Sequence, residues 1–148
     1  MTGVQTCALP ISKLPGWLAA RRANAATLDA MLADEPALRL VRPDAEIGHS
    51  YYKYYAFVRP HRLKPGWSRD RIITEAAAQG IPCFSGSCPE IYLERAFLDA
   101  GLAPLVPLPV ARTLGQTSLM LPIDHTIPAA GIARMGDVLR AVLAEATN

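Results

Sequence analysis

The sequence predicts an α+β domain in which three or four strands are covered by two long helices and two short ones. Three observations support this fold class. The length of 148 residues is that of one domain. Segments with helical spacing alternate with short apolar or aromatic runs, and 13 prolines and 10 glycines separate them. The hydrophobic fraction of 51% is enough for a real core.

Composition also excludes several classes of protein. The net charge is only +2 and the basic residues form no block, so nucleic acid is not an expected partner. No run of about 18 apolar residues occurs, so no membrane span is predicted. Three cysteines are too few, and odd in number, for a disulfide scaffold, which favours a cytoplasmic location.

The first eleven residues, MTGVQTCALPI, differ in character from the rest. They have neither helical nor strand periodicity, and they lack the basic start of a signal peptide. They resemble a translated sequencing-adapter remnant, and an ordinary disordered terminus is the alternative. We therefore expect residues 1–11 to be a tail and residues 12–148 to form the domain.

Residues 12–34 have the spacing of one amphipathic helix. Pro15 and Gly16 are expected in its first turn or just before it, and Pro36 follows its end. One face of the helix carries a stripe of residues spaced by three and four: Leu14, Leu18, Arg21, Ala25, Leu28 and Leu32. Such a stripe must be buried against a sheet or another chain.

Two strands are expected next, at 37–42 and at 49–59. The second reads HSYYKYYAFVR and holds four of the five tyrosines. Alternation places Tyr51, Lys53, Tyr55 and Phe57 on one face, and Tyr52, Tyr54, Ala56 and Val58 on the other. The tyrosines could stack on a ring-shaped ligand, although a sheet interior is the simpler interpretation. Lys53 could be paired, exposed, or facing a phosphate.

The middle of the chain predicts a helix, a strand and a turn. Ser68 is a good N-cap for a helix that ends before Gly80. Residues 81–84 read as a strand, and Ser85-Gly86-Ser87 as a turn whose amides could meet an anion or a hydroxyl-rich ligand. Residues 87–90 have the S-x-x-E form of a capping box before a short helix through 97. This favours a capping role for Glu90 over acid–base chemistry.

The last third predicts two helices and another strand. A short helix is expected at 110–116 and a strand at 118–121. Thr126 is the expected N-cap of a final helix with Ile132, Met135, Leu139 and Val142 on one face. Cys83 and Cys88 have no histidine at ligand spacing, so zinc is not expected.

Four segments in this order resemble one known family: LPGWLAARRANA, HSYYKYYAFV, GWSRDRIITEAAAQGIPCFSGSCPEIYLERAF and LPVARTLGQTSLMLPIDHTI. They are similar to the C-terminal small domain of the DegT/StrS sugar aminotransferases, which have the fold-type I architecture and use pyridoxal phosphate. The resemblance runs from about Leu14 to the end of the chain. The stretch 80–97 is its most specific part.

The resemblance implies transfer of an amino group, with glutamate the expected donor, to a keto sugar linked to a nucleotide. It also implies a homodimer, and a lysine that holds the cofactor from a large N-terminal domain. None of Lys13, Lys53 and Lys64 matches that lysine's motif. We therefore carry over no catalytic or cofactor residue, and expect no specific cofactor binding and no transaminase activity from this chain alone.

The resemblance also implies that the turn after the 81–84 strand faces the sugar. Many relatives have a His-Tyr-Pro stretch there, whereas this chain reads Cys83-Phe84-Ser85-Gly86-Ser87-Cys88-Pro89. Ser85, Ser87, Tyr92 and Lys53 are the expected substrate-binding residues. The alternative is a non-catalytic module of the same fold that binds a nucleotide sugar or another protein.

Overall fold

The computed structural model describes residues 8–86 and 88–147. Within them the chain forms five α-helices and three β-strands. In chain order these are α1 (Ala8–Met31), β1 (Leu38–Leu40), β2 (Tyr54–Val58), α2 (Arg69–Ala78), α3 (Arg95–Asp99), α4 (Pro109–Thr117), β3 (Ser118–Leu121) and α5 (Ala129–Ala146). Short 3-10 helices lie at Pro60–Arg62 and Ile91–Leu93. In this part of the chain no helix has the length and apolar character needed to cross a membrane.

The strands form one antiparallel sheet in the order β1-β2-β3. Leu38 is opposite Val58, and Ala56 is opposite Leu119. The predicted α+β class is therefore confirmed, with an antiparallel arrangement.

The two faces of the sheet have different neighbours. Its inner face presents Tyr54, Ala56 and Val58 to a core shared with α1, α2 and α5. The outer face carries the half-buried Tyr55 and Phe57, which lie near Leu114 of α4. The alternation predicted for this strand holds over 54–58, because successive side chains of a strand point to opposite faces.

Helix α1 begins and ends earlier than the expected 12–34, since it spans Ala8–Met31, and only half of its predicted stripe is buried. Ala25, Leu28 and Leu32 belong to the core, whereas Leu14 is 52% exposed. The expectation that Pro15 lies in or before the first turn is wrong, because the helix begins at Ala8 and continues through Pro15. A proline inside a helix lacks the N–H that would donate to the preceding turn, so one hydrogen bond of α1 is missing at Pro15.

The strands predicted at 49–59 and at 81–84 are both longer than what the structure shows. Strand β2 begins at Tyr54, because Tyr51 has a left-handed backbone (φ 46°) that interrupts the extended run. The strand predicted at 81–84 is reduced to a single bridge between Phe84 and Met120. Pro82 has no N–H to donate, which prevents regular pairing there.

The capping predictions had mixed outcomes. The Ser68 hydroxyl accepts from the Arg71 N–H at 3.2 Å, and Gly80 ends α2 with φ 77°, as predicted. Thr126 is not the N-cap of α5, because its N–H and hydroxyl both donate to the Asp124 carboxylate and the helix begins at Ala129. These hydrogen bonds lower the pKa of Asp124.

Helix α5 packs against α1 through its predicted face. Its core residues include all four predicted positions: Ile132, Met135, Leu139 and Val142. Gly136 lies on the same side, where a Cβ atom would fall 2.6 Å from the Met31 sulfur. The glycine therefore allows the two helices to approach closely.

Candidate functional site

The predicted substrate-facing turn lies on the outer face of the sheet, beside the free side of β3. Phe84 and Met120 exchange two backbone hydrogen bonds of 3.0 and 2.8 Å, which anchor the start of the turn. The Ser118 hydroxyl then donates to the Ser85 carbonyl. These bonds hold the Ser85 backbone in place, and the residue itself is exposed.

Gly86 packs directly against the ring of Tyr55. A Cβ atom at Gly86 would lie 2.6 Å from Tyr55 Cε1, and the glycine has φ 95°. Both facts require glycine, since L side chains rarely adopt this conformation and no room is left for one. The turn and Tyr55 therefore form one packed unit. Ser87, the third residue expected here, lies outside the described residues.

Tyr55 separates two small recesses on the outer face. One, of about 160 Å³, is lined by Tyr55, Phe57, Pro89, Leu114 and Ser118. The other, of about 70 Å³, lies among Lys53, Tyr55 and the chain before β2, with His49 at its wall. Lys53 and Tyr55 thus line the same recess, and the Ser85-Gly86 turn packs on the Tyr55 ring.

Lys53 is half-buried, and its Nζ lies 5.5 Å from the centroid of the Tyr52 ring. Among the described residues no carboxylate forms an ion pair with it. A lysine held by an aromatic face but not neutralised is suited to an anionic ligand group.

Tyr92 is buried, and its hydroxyl connects two segments. It donates to Glu90 Oε1 at 2.6 Å and accepts from the Leu108 N–H at 3.0 Å. Arg112 Nε lies 3.5 Å from the same Glu90 oxygen. Donation to the Glu90 carboxylate raises the pKa of Tyr92.

The capping role preferred for Glu90 is not what the structure shows. Glu90 precedes the 3-10 helix Ile91–Leu93 without a side-chain cap bond, and its carboxylate contacts Tyr92 and Arg112 instead. Sequence reasoning did not find Arg112, because nothing in the spacing of α4 indicates which acid its side chain reaches.

Replacing Tyr92 by Phe is expected to destabilise the protein by about 1–3 kcal/mol, the usual cost of leaving buried polar groups unpaired. The Leu108 N–H loses its acceptor and Glu90 loses a donor. Urea denaturation measures the change. Tyr52→Phe is the control, since Tyr52 is 69% exposed. Equal effects of the two substitutions would contradict the role given to the Tyr92 hydroxyl.

The described residues do not fit a pyridoxal phosphate site. Such a site needs a free lysine amine and an acid for the ring nitrogen. Lys13 is exposed on α1 and Lys64 Nζ donates to the Glu145 carbonyl at 3.2 Å. The recess beside Lys53 holds about 70 Å³ and no carboxylate lines it.

The described residues contain no candidate metal site, and Cys83, which precedes the Ser85-Gly86 turn, is not a reactive thiol. Among residues 8–86 and 88–147, no group of three or more His, Cys, Asp or Glu side chains is placed to hold a metal ion. Burial raises the pKa of the Cys83 thiol to about 12, which keeps it protonated.

Solved structures with the same fold are aminotransferases. An aminotransferase from Psychrobacter cryohalolentis is 38% identical, with a TM-score of 0.89, over 95% of this chain and 38% of its own. A DegT DnrJ EryC1 StrS aminotransferase from Brucella abortus is 21% identical with a TM-score of 0.72, over 88% of this chain and 32% of its own. The resemblance to aminotransferases is confirmed at 38% identity, and the DegT DnrJ EryC1 StrS aminotransferase shares the fold.

A third solved structure, that of DesI in the presence of its TDP-sugar product, is 23% identical with a TM-score of 0.75. It matches over 90% of this chain and 33% of its own. The chain therefore spans between 32% and 38% of the length of these three proteins. No protein-family model and no curated protein sequence matches the chain.

Proposed function

We propose that this chain is the substrate-facing part of a pyridoxal phosphate-dependent aminotransferase that aminates a keto sugar linked to a nucleotide. The observation that carries the proposal is the 38% identity to an aminotransferase over 95% of the chain, at a TM-score of 0.89. The amino donor in this proposal is an amino acid such as glutamate, and the whole enzyme is a cytoplasmic homodimer.

In this proposal the cofactor and its lysine belong to the part of the enzyme that the chain does not span. This chain contributes a wall of the sugar-nucleotide site, formed by Tyr55 and the turn packed on it. The wall is rigid, because Gly86 and Tyr55 are in direct contact and Ser118 holds the Ser85 carbonyl. Rigid placement of contact groups is what orients a substrate for reaction.

The four substrate-binding residues have different roles in the proposal. The exposed Ser85 and neighbouring Ser87 provide hydroxyls for the sugar. Lys53 provides an unneutralised ammonium group for a phosphate of the nucleotide. Tyr92 supports the site indirectly by holding Glu90, since its hydroxyl is already engaged on both sides.

The test is a chimera in which this chain replaces the matching segment of the Psychrobacter aminotransferase. We expect the chimera to bind pyridoxal phosphate and to transfer the amino group of glutamate to dTDP- or UDP-linked keto sugars, detected by mass spectrometry. The 148-residue chain alone is expected to show no visible absorbance band of a lysine-linked cofactor.

Within the chimera, Lys53→Met is expected to raise KM for the nucleotide sugar roughly tenfold with little change in kcat, as for a group that binds substrate and transition state equally. Lys64→Met is the matched control, since the Lys64 ammonium group donates to the Glu145 carbonyl. A folded, cofactor-loaded chimera that aminates no nucleotide-linked keto sugar would overturn the proposal. Calorimetric binding of a nucleotide sugar by the chain alone, combined with that result, would favour the non-catalytic module.

A further inference from the structure

We propose that a recess beside the edge strand β1 binds a soluble anion bearing a phosphate or diphosphate group. The recess holds about 430 Å³ and three arginines line it: Arg39, Arg42 and Arg59. Ligand pockets in proteins begin at about this size, roughly 300 Å³.

The three guanidinium groups are held in place by other parts of the chain. Arg59 Nη1 donates to the Pro36 carbonyl at 3.1 Å, and Arg42 Nη2 donates to the Asp29 carbonyl at 3.4 Å. The Arg39 guanidinium carbon lies 4.3 Å from the centroid of the Phe57 ring. Each contact restricts the motion of an arginine side chain in the free protein. Ligand binding therefore costs less side-chain conformational entropy than it would for freely moving arginines.

The positive charge of the recess is not neutralised within the described residues. None of the three arginines forms an ion pair there. Two acids also line the recess, but Glu35 lies 3.5 Å from Arg140 Nε and Asp34 is exposed. Three arginines and one unpaired carboxylate therefore line the recess, and this excess of positive charge favours an anionic ligand.

The chemistry of the lining favours phosphate over a simple carboxylate. A guanidinium group is planar and donates two parallel hydrogen bonds to phosphate oxygens. Arg42 and Arg59 each donate one N–H to a backbone carbonyl, and a guanidinium group has five N–H donors. Several donors thus remain for a group with many acceptor oxygens, such as diphosphate.

This recess and the Ser85 turn of the substrate wall lie at opposite edges of the sheet, although Arg39 also contacts Phe57, which lines a recess of that wall. The sheet order is β1-β2-β3, and the Ser85 turn lies beyond β3, through the Phe84–Met120 bridge. The recess lies at β1, which is the opposite edge. Its test needs neither cofactor nor amino transfer, so the outcome does not depend on the proposed aminotransferase function.

The test uses the 148-residue chain in buffer of low ionic strength, titrated with inorganic diphosphate and separately with orthophosphate. We expect saturable changes in amide and arginine side-chain NMR resonances around the recess, with diphosphate binding tighter. Sodium chloride at matched ionic strength should produce no saturable change. Binding should weaken as salt is added, because the guanidinium groups of Arg39 and Arg42 are exposed to screening.

Arg39→Gln and Arg42→Gln are each expected to weaken diphosphate binding roughly tenfold, about the value of one charge-assisted hydrogen bond. Arg95→Gln is the control: its side chain is 93% exposed, it pairs with Asp99, and the same charge is removed. Circular dichroism verifies that each variant folds. The absence of saturable binding, or equal weakening by the three substitutions, would overturn the proposal.

Discussion

Leu28→Ala is expected to lower the free energy of unfolding by about 2–5 kcal/mol. Leu28 is fully buried in the core formed by α1, α5 and the sheet. Truncation removes apolar contacts and leaves a cavity, because neighbouring helices cannot close around it completely. Urea denaturation, with far-UV circular dichroism as the signal, measures the loss.

Leu14→Ala is the matched control, since it makes the same change on the same helix. Leu14 is 52% exposed, so its truncation should cost no more than about 0.5 kcal/mol. Equal losses from the two substitutions would show that the first half of α1 is buried in solution. Sedimentation of the wild-type chain would then identify self-association as the cause.

Gly86→Ala, in the substrate-facing turn, is expected to lower the free energy of unfolding almost as much as Leu28→Ala does. The left-handed backbone at φ 95° costs an alanine about 1–2 kcal/mol. The overlap with the Tyr55 ring adds roughly 1–3 kcal/mol, the usual cost of overpacking. Amide hydrogen exchange at Phe84 and Met120 should become faster, because the hydrogen bonds between them anchor this turn.

Gly101→Ala separates the two contributions. Gly101 has φ 66° and no atom within 4 Å of the position of an added Cβ. An alanine at position 101 therefore has the energetic cost of the left-handed backbone without a steric overlap. If both alanine variants lose the same stability and Phe84 exchange is unchanged, the turn does not pack on Tyr55 as described.

The parts of the fold that could be predicted from sequence are those set by local pattern. The buried face of α5 follows from helical spacing at Ile132, Met135, Leu139 and Val142, and Ser68 caps α2 because its hydroxyl meets a nearby backbone amide. These signals act over three or four residues. They do not depend on what else the chain contacts.

The incorrect predictions concern features that depend on backbone conformation or on contacts between residues distant in sequence. The positive φ of Tyr51 shortens β2, although tyrosine gives no sign of it in the sequence. Glu90 fits a capping motif, yet Tyr92 and Arg112 attract its carboxylate once α4 lies beside it. The pattern of 49–59 placed Lys53 and Tyr55 on one face. It could not show that Gly86 packs on that tyrosine.

One hydrogen-bonded residue of α1 affects how the chain acquires its structure during synthesis. The Asn24 side-chain amide donates to the carbonyls of Ile123 and Asp124, which are 99 and 100 residues away in sequence. At ribosomal rates of about 5–20 residues per second, α1 waits roughly 5–20 s for these acceptors to be synthesised. During that interval the apolar residues of α1 that will contact α5 are uncovered. Nascent chains of this protein should therefore depend on chaperone binding to α1 until α5 leaves the ribosome.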